Sequence, residues 1–345
     1  MKKGLFAKKS ISALLKEASD SKHGFKRTLS AFNLTMMGIG AIIGAGIFVF
    51  VGQGAAEYAG PAVALSFVFA AIICVFVALC YAEFASLIPI SGSAYVYAYV
   101  TMGEFVAWII GWALTLEYLF ACAAVAVGWS GYFVSLLTDF GIEFPKMFAN
   151  APMIYDPATG WQSTGALFNV PAMFIFACIG ILISLGIKAA SRVNDLLVYV
   201  KMTVIFLFIV CGIAFINSDN WVPFIPENTG VFGQYGISGI LRGAGVVFFA
   251  FLGFDAVSTL AQEARNPQRD MPKGMLASLG ISTIVYVIMA LVLTGLVSYH
   301  MLGVSDPIAV AVNALGPKFI WLRYITKFGI LASLTTVILV MLNGQ

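Results

Sequence analysis

Apolar residues run along this chain in long unbroken blocks, not in alternation. The block PAVALSFVFAAIICVFVALCYA, Pro61 to Ala82, contains no charged residue. At about 1.5 Å rise per residue, some twenty such residues cross a hydrocarbon layer about 30 Å thick. Read this way, the blocks predict eight helical spans near 33–56, 61–88, 104–137, 169–187, 195–217, 237–258, 274–299 and 324–345. A membrane barrel would show short alternating stretches instead. Pro61 and Pro171 suit the first turns of helices, where no donor is lost. The stretches Asp139–Phe168 and Asn217–Tyr235 collect the Pro, Gly, Asn and Asp of loops.

Composition sharpens the class. Hydrophobic residues make up 61% and charged residues 10%, against roughly 25% charged in soluble domains. Mean hydropathy is +0.96. Buried in lipid, every backbone group needs an internal partner, so the expected fold is an all-α polytopic membrane protein. Cys74, Cys80, Cys122, Cys178 and Cys211 all lie in apolar runs without C-x-x-C spacing; they read as small core residues. His23 and His300 are too few and too far apart for a zinc centre, and neither a metal nor another cofactor is expected.

Charge sets orientation. Lys2, Lys3, Lys8, Lys9, Lys16, Lys22, Lys26 and Arg27 precede the first span, and Lys188, Arg192, Arg265, Arg269 and Lys273 fall on the same side. The opposite loops hold Lys146, Lys318 and Arg323 against Asp139, Glu143, Asp156, Asp219 and Glu227. The positive-inside rule then puts the N-terminus in the cytoplasm. A cleaved signal peptide is not expected, because the first apolar run begins late and is too long. In the tail, residues 1–32, Phe6, Ile11, Leu14, Leu15 and Ala18 form a stripe among lysines. Two readings stay open for it, an interfacial helix on the anionic leaflet or a disordered basic tail.

The first span weakens itself. GIGAIIGAGIFVF, Gly38 to Phe50, places Gly38, Gly40, Gly44 and Gly46 within nine positions. A dinucleotide loop would need a preceding strand and a downstream acid, and neither is present. Two readings remain: close packing through the Gly40/Gly44 pair, or a discontinuous helix unwound near Gly44. The sixth span repeats the feature in GAGVVFFAFLGFD, Gly243 to Asp255. Interrupted helices at corresponding places in two halves point to a binding site at mid-membrane. Half-helix ends offer N–H groups to a carboxylate and carbonyls to an ammonium.

IIGAGIF (Ile42–Phe48), AGPA (Ala59–Ala62), CYAEFASLIPISGSAYVYAY (Cys80–Tyr99), GFDAVS (Gly253–Ser258) and QEARNPQRDMP (Gln262–Pro272) occur in order. Together they resemble the cationic amino acid transporter branch of the amino acid–polyamine–organocation superfamily, in particular its bacterial proton-coupled permeases, from about Phe32 to Gln345. The resemblance implies a 5+5 inverted repeat with discontinuous helices 1 and 6. On that plan residues 33–217 form the first repeat, 218–236 an extracellular loop, and 237–345 the start of the second. Only about eight of at least ten helices are then present, so a truncated chain is expected.

Charges inside spans are expensive, at about 2.5–3.5 kcal/mol on insertion scales, and default to function. Glu83, Glu117, Lys201 and Asp255 qualify. For Lys201 the alternatives are snorkelling to the interface and, by resemblance, proton coupling against an exposed carbonyl near Gly44. Glu117 and Asp255 either pair structurally or, as the resemblance implies, line the far end of a substrate pocket. Glu83 reads as a helix-end contact.

The resemblance further implies that a substrate carboxylate meets the backbone at Ala45 and Gly46. The ammonium would then meet carbonyls of Ile42, Phe249, Ala250 and Leu252, beside the unwound Gly44 and Gly253. Phe249 would gate the ligand, and Met341 would line the side-chain end, favouring small neutral over cationic amino acids. The implied activity is proton-coupled symport or exchange of L-amino acids by alternating access in the plasma membrane. It involves no enzymatic step, with an amino acid and the bilayer as partners and no nucleic acid. A channel would want a polar pore lining; a non-transporting binding or sensor protein is the other alternative.

Overall fold

The computed structural model describes residues 7–11, 27–90, 92–156, 160–184 and 187–344. The tail stripe therefore lies outside the described residues, apart from Ile11.

Helix α1 spans Ala31–Ile42. Its start is written locally: the Asn33 N–H donates to Ser30 Oγ at 3.4 Å and the Ser30 N–H to Asn33 Oδ1 at 3.2 Å, a reciprocal cap on two otherwise orphaned donors. It ends as Ile43 turns extended, at φ −72° and ψ 107°. The chain resumes in a π-helical stretch, Gly46–Phe50, then three α-helical residues, Val51–Gln53, and a second π-helical stretch, Gly54–Ala59. Gly60, at φ +60°, stops it, and α2 follows over Val63–Leu87.

Helices α3 (Ser93–Thr101) and α4 (Glu104–Asp139) come next. The predicted loop after them contains a short antiparallel pair, β1 (Met153–Asp156) and β2 (Gly160–Ser163), with Met153 opposite Ser163. Helices α5 (Val170–Ser184) and α6 (Ile187–Ile213) follow. The sixth predicted span is broken: α7 (Gly236–Val247) tightens into a 3₁₀ turn, Phe248–Phe251, and α8 covers only Ala256–Thr259. Helices α9 (Pro267–Leu296), α10 (Pro307–Ala314) and α11 (Ile320–Gly344) complete the order.

Five stretches are long and apolar enough to cross a membrane: Gly46–Leu87, Glu104–Asp139, Leu196–Ile213, Pro267–Leu296 and Ile320–Leu342. Three shorter apolar helices, Ala31–Ile42, Val170–Ser184 and Gly236–Phe251, fall in the remaining predicted spans. The seventh span starts earlier than the sequence predicts, at Pro267 and not 274. Pro267 occupies the first turn, and the Asp270 carboxylate accepts the Asn266 N–H at 3.2 Å, so the helix begins inside the QEARNPQRDMP motif and carries Pro272 within it.

The chain forms two compact units, each drawn from three segments. The first comprises Met1–Ile43, Phe67–Glu117 and Phe248–Tyr286; the second comprises Gly44–Ser66, Tyr118–Val247 and Val287–Gln345. In the first, α1 and α9 pack through small residues: a Cβ on Gly38 would lie 2.6 Å from Ser278 Oγ, and one on Gly274 would lie 2.7 Å from Leu34 Cβ. Ahead of α1, Leu29 pairs with Ala264, and Arg265 Nε donates to the Thr28 carbonyl at 2.9 Å. In the second, α6 lies along α11, where a Cβ on Gly329 would collide with Val204.

Candidate substrate site

The two helix breaks meet in the first unit. Gly253, at φ +101°, takes a conformation that side chains rarely adopt, and a Cβ there would lie 2.9 Å from the Ala41 carbonyl oxygen. Only glycine permits both the turn and this approach. Tyr286 of α9, wholly buried, faces the same place. Its hydroxyl lies 2.8 Å from the Ile42 carbonyl oxygen and 2.7 Å from that of Ala250. One hydroxyl carries one proton, so it can donate fully to only one of these acceptors at a time.

Phe67 and Phe251 hold the phenol ring, with centroids 5.3 Å from that of Tyr286 in each case. All three rings have 0% exposure. Of the other carbonyls named from sequence, that of Phe249 also accepts the Leu252 N–H at 3.3 Å.

A second polar group lies beyond the break. Asp255, 6% exposed, receives the Ser93 hydroxyl at 3.5 Å. Ser93 reaches it from a strained turn, at φ +50° directly after Gly92 at φ +140°. Such outliers persist where surrounding structure over-determines them. The Tyr81 ring stands 6.0 Å from that of Tyr97 and 5.7 Å from that of Phe254. The hydroxyls of Tyr97 and Ser258 are buried there without a partner among the described residues. Glu117 is half-buried, whereas Glu83 is exposed, with its carbonyl accepting the Ser86 hydroxyl at 2.7 Å.

The remaining predicted residues belong to the second unit. Ala45 and Gly46 are buried at the start of the first π-helical stretch. A Cβ on Gly44 would collide with Val337 of α11, and Met341, 8% exposed, follows one turn later on the same helix face. Packing and unwinding are thus shared out among the glycines: Gly38 packs, and Gly44 packs where the helix is interrupted. Lys201 is 0% exposed on the α6 stripe with Val204, Ile205 and Phe208. A snorkelling lysine would leave its ammonium exposed, so that alternative is set aside.

Comparison with known proteins decides the family. The model of the amino acid permease family matches residues 29–344. The chain belongs to the amino acid permease family. It is 45% identical to the branched-chain amino acid permease BcaP of Bacillus subtilis over the whole of this chain and 70% of that protein. It is 44% identical to the methylthioribose transporter of the same organism, over 99% of this chain and 70% of that one. Cationic amino acid transporter 1 of Arabidopsis thaliana is 37% identical over 94% of this chain and 51% of its own length. The resemblance read from the five motifs is borne out, and this family member is a multi-pass membrane protein.

Two residues of evident weight escaped the sequence reading. Tyr286 was an ordinary aromatic in an apolar run; its signal was a phenol in a segment offering its hydroxyl no local partner. Lys327 is wholly buried in α11; it falls inside the span predicted from 324 but was not counted among the charges within spans.

Proposed function

We propose that the chain is a secondary active transporter that carries L-amino acids together with protons by alternating access. What supports this most directly is the Tyr286 hydroxyl shared between the Ile42 and Ala250 carbonyls. Two backbone acceptors served by one proton leave capacity for an incoming ammonium group, and both belong to interrupted helices, where such acceptors are free to point inward. We assign the ammonium end of the substrate to these carbonyls, with those of Phe249 and Leu252, and the carboxylate end to Ala45 and Gly46. Asp255, with Glu117, is assigned to polar substrate side chains.

Lys201 is assigned to proton coupling, since it is a wholly buried ionisable group within a membrane span, where such residues default to function. Family membership and the named relatives direct the choice of substrate. Small neutral and branched-chain amino acids come first, cationic ones second, and methylthioribose stands as the test of a non-amino-acid ligand. The cytoplasmic N-terminus, the plasma membrane and the 5+5 repeat belong to the same proposal.

The test is uptake of radiolabelled leucine and alanine by proteoliposomes under an imposed pH gradient. Accumulation above equilibrium that collapses with the gradient is expected. Leak without accumulation would indicate a channel, and binding without uptake a non-transporting protein; either overturns the proposal.

A further inference from the structure

In the first unit, α2 and α3 leave a groove between them. Phe76, Cys80 and Phe84 recur every four residues along α2, and Ala94, Ala98 and Met102 do the same along α3 and its cap; residues so spaced share one helix face. Cys80, Ala94 and Ala98 are small, so the two stripes do not fill the space where they meet. With Ile110 of α4 they line a hollow of about 430 Å³, a volume usual for a ligand pocket. It is open at the surface, since Phe76, Cys80 and Met102 are exposed. Both α2 and α4 lie in stretches apolar enough to cross a membrane, so the surface it opens on is bathed by hydrocarbon.

The walls do not suit a polar occupant. No charged side chain lines the hollow, and the Thr101 hydroxyl in its wall is spent on the Tyr97 carbonyl, at 2.7 Å. Tyr97 is buried and stacks on Phe84 at 5.1 Å between centroids. Tyr81, also in the wall, stands edge-on to Phe254 at 5.7 Å, so the groove borders the break in the sixth span.

A basic segment is tied to one end. Gly103, at φ +104°, turns the chain from Met102 into α4, and the Glu104 N–H donates to the Ala7 carbonyl at 3.1 Å. Lys8, exposed, and Lys9, half-buried, follow Ala7 directly. Consecutive Cα atoms are about 3.8 Å apart, so both lysines stand at the level of Thr101 and Met102. Against the Glu104 carboxylate they leave one positive charge in excess. Trp108 and Trp112 are exposed on the next turns of α4, and tryptophan is enriched where bilayer meets water.

We propose that this groove is a binding site for one anionic phospholipid, with an acyl chain between α2 and α3 and the headgroup phosphate on Lys8 and Lys9. Hydrocarbon matches the walls, and the lysines supply the charge complement at headgroup depth. The site is separate from the residues assigned to substrate and from Lys201, and its test does not need transport.

The experiment uses the full chain in detergent, stripped of lipid, with phosphatidylglycerol or phosphatidylcholine added back. Cys80 reports on the groove, and Cys178, exposed on α5, is the internal reference. Phosphatidylglycerol is expected to slow modification of Cys80 by N-ethylmaleimide at least about threefold and to leave Cys178 unchanged. Phosphatidylcholine is expected to need at least about fivefold more lipid for the same protection, and Lys8→Gln/Lys9→Gln to erase that difference. Native mass spectrometry is expected to retain one phosphatidylglycerol, and to lose it in Ala94→Trp, which fills the hollow. Equal protection by the two lipids, equal protection of Cys178, a preference that survives Lys8→Gln/Lys9→Gln, or undiminished retention in Ala94→Trp overturns the proposal. Cys80 unreactive even without lipid would mean that protein covers the groove, and overturns it equally. The Cys80 comparison needs no substitution, so a variant that fails to fold leaves that test standing.

Discussion

Replacing Tyr286 by Phe removes one hydroxyl and keeps the ring between Phe67 and Phe251. The structure places two carbonyl oxygens within 2.8 Å of that hydroxyl; counting two full hydrogen bonds would be an error, because a phenol has one proton to give. The loss is therefore one donated bond plus a buried acceptor left unmet, about 1–3 kcal/mol. Removing the ring as well, as in Tyr286→Ala, adds cavity formation and raises the cost to about 3–5 kcal/mol. The assay is reversible unfolding in mixed micelles, with and without saturating substrate. Without substrate, Tyr286→Phe is expected to lose about 1–3 kcal/mol. With an amino acid bound, part of this is expected to return, because the ammonium group supplies the missing donor. An unchanged unfolding free energy in Tyr286→Phe would refute the reasoning. So would an equal loss with and without substrate, which would make the hydroxyl purely structural.

Other outcomes follow from the same geometry. Gly44→Ala drives a methyl group into Val337 and is expected to cost about 1–3 kcal/mol, with most of it recovered in Gly44→Ala/Val337→Ala; unfolding of the single and double variants checks this. Gly253→Ala meets both a φ of +101° and the Ala41 carbonyl, so at least about 1–3 kcal/mol is expected in the same assay, with no single partner substitution restoring it. Lys201→Ala is expected to reduce gradient-driven accumulation at least about tenfold, the equivalent of about 1.4 kcal/mol, while substrate-protected unfolding persists. Asp306 gives a pH dependence whose sign is fixed: its carboxyl is held at about 6 in the folded state against an ordinary 3.8, so folding favours the protonated form. Its stabilising contribution is complete below about pH 4 and declines as pH rises through about 6; a melting series is expected to show this decline in the native chain and not in Asp306→Asn.

Much of the helical layout was readable from the blocks of apolar residues, because a lipid-buried backbone admits few alternatives. The glycine pattern also marked where two helices stop: Gly44 and Gly253 carry their reason in the sequence, since a side chain at either would have no room. What periodicity could not show was which groups close around those stops. Tyr286 lies more than thirty residues from Ala250 and 244 from Ile42, and nothing local in YVIMALVL announces where its hydroxyl points. Lys327 was missed for a related reason: its partner Asp139 is 188 positions away, and nothing local to either residue joins the two charges. The early start of α9 was a local misreading, since Asn266, Pro267 and Asp270 already form a helix start within the motif.

The two π-helical stretches, Gly46–Phe50 and Gly54–Ala59, have a mechanical corollary. A wide turn is an ordinary α-turn that has swallowed an additional residue. Ejecting that residue swivels everything downstream by about 100° and advances it about 1.5 Å, while nearly every peptide keeps a partner. The segment after Gly44 thus holds two units of rotational slack, and the Tyr132 phenol grips one of them at Phe48.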